Sequence, residues 1–202
     1  MALHEKQLLT LSSWGIEQSR LQRILLAEKL LAHGSDPQKV ARSLDWQEFE
    51  KFVEGAFEEN GFRASKHLII KLGSKTRREI DILAWNRSLT LAVDCKHWLK
   101  SVGFHTRIRR AAEAQAERVS ALARMPEILR RRGIGDIENR SILPALLVLG
   151  EAEMRETCGV PIVPISKLPV FLTELSPFQR GLRFIPVRSY DQIRLTRAGT
   201  LT

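Results

Sequence analysis

The sequence predicts an α/β fold, a mixed central β-sheet flanked by helices. Three observations predict it. A helical apolar period over residues 45–60 gives way to short apolar runs at 64–72, 79–85 and 89–98, separated by turn residues. A long amphipathic stretch from about 105 to 131 follows. Two more apolar runs, 142–149 and 159–165, then read as strands. The core order is αβββαβ, continued by a further strand.

Each element has a local reason. Residues 5–44 read as a Leu-rich helical extension, with Leu21, Ile24, Leu25 and Leu31 at helical spacing and Gly34 as a stop. Asp36-Pro37 places a cap before a proline at the first helical position. Asp45 with Glu48 forms a capping-box start for the next helix. Phe49, Phe52, Val53, Ala56 and Phe57 make its apolar face, and Gly61 ends it. Leu68-Ile69-Ile70 centres the first core strand, Glu79–Trp85 is the second, and Asn86-Arg87-Ser88 turns into the third at Leu89–Trp98. Ile108, Ala111, Ala112, Gln115, Val119 and Leu122 share one face of the long helix, which Pro126 is expected to kink or split. Residues 167–175 read as a short helix. The expected division is a helical extension over 1–44, a core over 45–176, and a basic tail or small hairpin over 177–202.

Composition narrows the function. The chain has 202 residues, enough for one well-buried domain. It carries 32 Lys+Arg against 23 Asp+Glu, a formal net charge of +9, which favours a polyanionic partner. Cys95 and Cys158 stand apart with no CxxC, so neither a zinc site nor a disulfide framework is expected, and a reducing cytoplasm fits. The first residues, MALHEKQ, contain no apolar signal region, and no apolar run approaches the length of a membrane span.

The chemistry is concentrated in two apolar strands interrupted by charge. On the third core strand, alternation puts Leu91, Val93 and Cys95 on one face and Asp94 and Lys96 on the other. On the second, Asp81 is expected on the face opposite Ile80 and Ile82. If the two strands pair through the 86–88 turn, Asp81 approaches Asp94. Two converging carboxylates repel unless a hard cation sits between them. Carboxylates with a backbone carbonyl, here that of Cys95, suit Mg²⁺ or Mn²⁺. A lysine two residues on can touch the nucleophile or the scissile phosphate, an arrangement suited to phosphodiester hydrolysis.

Helix, Gly61-Phe62, EIDILAW (79–85) and LAVDCKHW (91–98), in that order, resemble the restriction-endonuclease-like superfamily, whose core motif is PD-(D/E)xK. With FEKFV at 49–53 and VDCKHW at 93–98, the chain looks most like Mrr-type restriction endonucleases and archaeal Holliday-junction resolvases. Ile80 stands where the motif's name has proline. The resemblance covers about 45–170. It implies that Asp81 and Asp94 bind metal and that Lys96 assists the nucleophile. The superfamily often adds a glutamate from the first core helix, and Glu50 and Glu54 both qualify by position. Measured from Val53, Glu50 lies roughly 60° away and Glu54 roughly 100°, at 3.6 residues per turn, which favours Glu50. Gln115, on the apolar face of the long helix, is a candidate to reach the active-site edge of the sheet.

Lys75, Arg77 and Arg78 crown the strand hairpin, and Arg107, Arg109 and Arg110 open the long helix. These six are the expected phosphate contacts. Arg130, Arg131 and Arg132 read instead as a helix-end preference for cations. The expectation is a Mg²⁺-dependent DNA endonuclease, cytoplasmic and acting as a homodimer. A Holliday-junction resolvase, which needs a symmetric dimer, is the first alternative. A non-catalytic DNA-binding module keeping the fold is the second.

Overall fold

The computed structural model describes residues 10–12, 15–17, 23–24, 26–27, 29–30, 33–72, 76–96, 98, 103–149, 152–176 and 179–188. Lys75, His97, Leu21, Leu25, Leu31 and the last fourteen residues lie outside them. The expected helical start is corrected at two places. Thr10–Ser12 (β1) and Gly15–Glu17 (β2) pair as a small antiparallel hairpin. Thr10, Ser12 and Gly15 are weak helix formers, so local propensity there does not support a helix. Helix begins by Arg23, and Pro37–Arg42 (α1) follows.

Asp45 caps Trp46–Glu59 (α2), with the reciprocal bonds of a capping box to Glu48. Strands Arg63–Leu72 (β3), Thr76–Trp85 (β4) and Thr90–Lys96 (β5) form an antiparallel meander. Phe104–Leu122 (α3) crosses back to Ser141–Val148 (β6), which pairs parallel to β5. Such a parallel return needs a long crossover, and the helix supplies it. Pro126 does split the long helix: it stands at the start of Pro126–Arg131 (α4). Glu156–Thr157 (β7), Val160–Pro164 (β8) and Leu168–Glu174 (α5) complete the core. The sheet order is β3-β4-β5-β6-β8-β7. Within the expected tail, Ile185–Pro186 (β9) pairs antiparallel with the start of β6. Val187 is buried in the core, which holds this part of the tail in place.

Two layers of helix cover the sheet. On one face Phe49, Val53 and Phe57 of α2 pack with Ile82, Leu91 and Val93, and Val40, Ala41 and Leu44 join the same core. On the other face Val119 and Leu122 of α3 pack with Ile80, Leu83 and Ala92. Each fully buried side chain of this size contributes roughly 1.5–3 kcal/mol.

These contacts overturn one expectation. Ile80 and Ile82 do not share a face: Ile80 packs under α3 and Ile82 under α2. The same switch occurs on β3, where Ala64 packs on the α2 side and Leu68 and Ile70 on the α3 side. Pairs Lys66↔Ile82 and Leu68↔Ile80 flank the switch and leave His67 and Asp81 unpaired between them. His67 has φ 54°, a left-handed conformation that cannot continue the pleat. Both strands therefore change face at this one pair.

Candidate active site

The β4–β5 ladder runs from Trp85↔Thr90 to Ile82↔Val93 and stops. Asp81 and Asp94 would be the next pair. Instead Asp81 turns its Oδ2 to accept the Cys95 backbone N–H at 2.8 Å. β5 remains paired to β6 through Lys96↔Val148, so Asp94 and Lys96 are held by the parallel side while the antiparallel side is open. The fork places both aspartates beside one another.

Asp94 is buried on the α3 side of β5. The Arg118 guanidinium donates from Nη1 to its Oδ1 at 2.9 Å. Lys96 Nζ lies 2.7 Å from Oδ2, but Oδ2 has no well-aligned hydrogen-bond donor. The contact is thus an ion pair more than a directed bond. Asp81 is pushed up to about 6 from 3.8, first by burial and then by the Asp94 charge; the Cys95 N–H and Lys96 act against the rise. Glu50 adds a smaller push in the same direction, which marks it as a neighbour of the fork.

Glu50 and Glu54 part as their helical angles predict. Glu50 is buried; Glu54 is half-buried and pairs with Lys51 at 2.7 Å. Glu50 Oε2 lies 3.3 Å from His67 Nε2 and has no aligned donor. Burial raises the Glu50 carboxyl, with the His67 and Lys66 charges opposing. On its other nitrogen, Nδ1, His67 meets Glu79 Oε1 at 2.7 Å. Burial likewise pushes the Cys95 thiol up, so it sits as a small buried hydrophobe.

Gln115 reaches the sheet. Its Nε2 donates to the Ala92 carbonyl at 2.8 Å, and its Oε1 accepts from Arg118 Nη1 at 2.7 Å. Trp98 packs partly against the α3–β6 core, with Lys96 Nζ and Arg107 Cζ at 5.6 and 5.1 Å from its ring centre. Sequence reasoning missed His67 and Arg118. A signal for Arg118 existed in its i+3 spacing from Gln115, which puts both on one side of α3.

The expected phosphate contacts are unequal. Arg77, Arg107, Arg109 and Arg110 are exposed. Arg78 is half-buried and pairs with Glu117 at 3.2 Å, and Arg109 pairs with Glu113 at 3.1 Å, so part of their charge is offset.

Residues 41–123 match the family described as restriction endonuclease, Mrr_cat. This segment is similar to restriction-endonuclease domains of the Mrr type. It spans α2 through α3 and contains every residue of the fork. No curated protein matches the chain. A crystal structure of a protein of unknown function, AF1548, is similar at 16% identity over 74% of this chain and 76% of that one, with a TM-score of 0.36. No described helix is long and apolar enough to cross a membrane.

The donor chemistry fits a hard divalent cation. Asp94 Oδ2 and Glu50 Oε2 are buried oxygens without an aligned donor, and Asp81 is raised by burial and then by the Asp94 and Glu50 charges. Among the described residues, however, no three acidic, His or Cys side chains converge as a ready-made metal site.

Proposed function

We propose that the protein is a Mg²⁺- or Mn²⁺-dependent DNA endonuclease that hydrolyses phosphodiester bonds. The observation that carries this reading is the fork: β4 and β5 separate where Asp81 and Asp94 meet, with Lys96 paired to Asp94. Asp81, Asp94, Glu50 and the Cys95 carbonyl are the residues that would hold the cation. When bound, the ion supplies Lewis acidity at a phosphoryl oxygen and makes water a stronger nucleophile at neutral pH.

The chain's own residues do the rest. Lys96 brings a positive charge to the edge of the fork, where it orients the attacking water and offsets the negative charge developing on the phosphate. The Cys95 N–H fixes the direction of Asp81. Gln115 ties α3 to β5, so Asp94 is positioned from both the sheet and the helix. DNA is the proposed substrate, with Arg77, Arg107 and Arg110 meeting phosphates. These residues are spread over a hairpin and a helix start, not gathered on one recognition helix, which suits contact with the backbone more than base readout.

Nicking of supercoiled plasmid in Mg²⁺ tests the reading. We expect cleavage by the wild type, none in EDTA, and none above background for Asp94→Ala or Lys96→Ala. Wild-type cleavage by metal-controlled Asp94→Ala overturns the active-site assignment. A marked preference for four-way junctions over duplex of equal length would redirect the reading to a resolvase. Metal-independent DNA binding with no cleavage would leave a binding module.

A further inference from the structure

Arg118 makes both of its hydrogen bonds through one atom. Nη1 donates to Asp94 Oδ1 and to Gln115 Oε1. Among the described residues, Nε and Nη2 have no partner, and neither is sealed from solvent. The side chain is 22% exposed, so the guanidinium is held from behind while one edge stays open. That edge carries two parallel N–H groups, the geometry that binds a phosphate through two bonds. Fixing Nη1 on two acceptors also removes much of the rotational freedom that a surface arginine loses on binding.

The position of the open edge matters as much as its shape. Asp94, on which Nη1 is fixed, also pairs with Lys96, so Arg118 and Lys96 hold opposite oxygens of one carboxylate. Along α3, Arg107 and Arg118 are eleven residues apart. At 100° per residue this returns them to within about 20° of one line, roughly 16 Å apart along the axis. Arg107 lies against Trp98, which also neighbours Lys96. The fork is thus bracketed by cations on one side of one helix.

We propose that Arg118 is a substrate-binding residue whose open Nε–Nη2 edge receives a phosphate of the nucleic-acid strand lying across the fork. This rests on the nuclease reading for the identity of the strand, but its test reads binding and not cleavage. A role confined to positioning Asp94 would need only Nη1.

Fluorescence anisotropy with a labelled 30-base-pair duplex in EDTA, over a series of NaCl concentrations, tests it. Arg118→Gln should raise Kd about tenfold at 0.1 M salt, the scale of one lost charge-assisted contact. It should also lower the magnitude of the log–log salt slope by about 0.9, one phosphate's worth. Arg118→Lys keeps the charge and the reach to Asp94 but loses the two-pronged edge, so its Kd should rise several-fold with little change in slope. Urea midpoints measured in the same buffer identify any variant that fails to fold, and Arg118→Lys then carries the decision. Unchanged Kd and slope in folded Arg118→Gln or Arg118→Lys would overturn the proposal, even if cleavage falls. In that case the nuclease reading stands and Arg118 only positions Asp94. Weakened binding together with a wild type that never cleaves would sustain the proposal and sink the nuclease reading.

Discussion

Replacing Asp81 with asparagine should stabilise the metal-free protein at neutral pH. Burial and the Asp94 charge raise the Asp81 carboxyl from 3.8 to about 6. The folded state therefore binds this proton more tightly than the unfolded chain does. Stability from this group is complete below about pH 4, falls as pH rises through 4–6, and is lost above that. Two pH units correspond to ~3 kcal/mol at most, and partial exposure of the group brings the expected effect to roughly 1–3 kcal/mol. Asparagine is nearly isosteric and keeps an oxygen to accept the Cys95 N–H. In EDTA at pH 7.5, urea denaturation should show Asp81→Asn more stable than wild type, with a melting rise of about 2–4 °C per kcal/mol for a chain of this size. The advantage should be largely gone at pH 4, where the folded aspartate is protonated and the unfolded one is near its own midpoint. Added Mg²⁺ should narrow it from the other side, because ligand binding stabilises only the wild type. An advantage absent at pH 7.5, or constant from pH 4 to 8, would refute the reasoning.

Glu50→Gln should lower the single-turnover rate at saturating Mn²⁺ by about tenfold or more, and Glu54→Gln by much less, because Glu50 is buried beside the fork while Glu54 pairs outward with Lys51; equal small losses would return both to the surface. Arg140 is buried and donates to the carbonyls of Asn86 at 3.0 Å, Leu89 at 3.4 Å and Gly135 at 3.2 Å, clamping the β4–β5 turn. Arg140→Met should cost about 2–4 kcal/mol in urea denaturation, by removing the donor of the Asn86 and Gly135 carbonyls, while the Leu89 carbonyl keeps the Asn86 N–H; a midpoint within experimental scatter of wild type would show that water replaces the clamp.

Much of the site was legible because its signals are local. The capping box at Asp45 and Glu48 marked the start of α2, and the angle from Val53 at the centre of its apolar face favoured Glu50 over Glu54. Alternation along β5 put Asp94 and Lys96 on one face and Cys95 on the other, and the structure keeps that order. Of the two outcomes open at Pro126, a kink or a split, the chain takes the split, with the proline at the start of α4. Arg118 was signalled only by its i+3 spacing from Gln115; its contact with Asp94, 24 residues away, depends on how α3 is rotated over β5. The N-terminal hairpin was missed for a different reason: a Leu-rich composition outweighed the weak helix formers at Thr10, Ser12 and Gly15.

The deepest failure is also the most informative. Alternation on β4 predicted Ile80 and Ile82 on one face, and the chain separates them at Asp81. A period-two reading assumes that every residue continues the pleat, and His67 at φ 54° does not. A left-handed non-glycine residue costs roughly 1–2 kcal/mol and persists only where its surroundings over-determine it. Here they do: Leu68 and Ile70 gain burial under α3, and the His67 ring lies between Glu50 and Glu79. The switch leaves Asp81 outside both ladders, without a cross-strand partner on β3 or β5. A regular strand would keep that backbone in register and Asp81 in strict alternation with its neighbours. Breaking the pleat frees the residue to turn toward Cys95 and Asp94. The irregularity that defeats the sequence pattern is therefore what takes Asp81 out of the ladder and turns its carboxylate to the Cys95 N–H, beside Asp94.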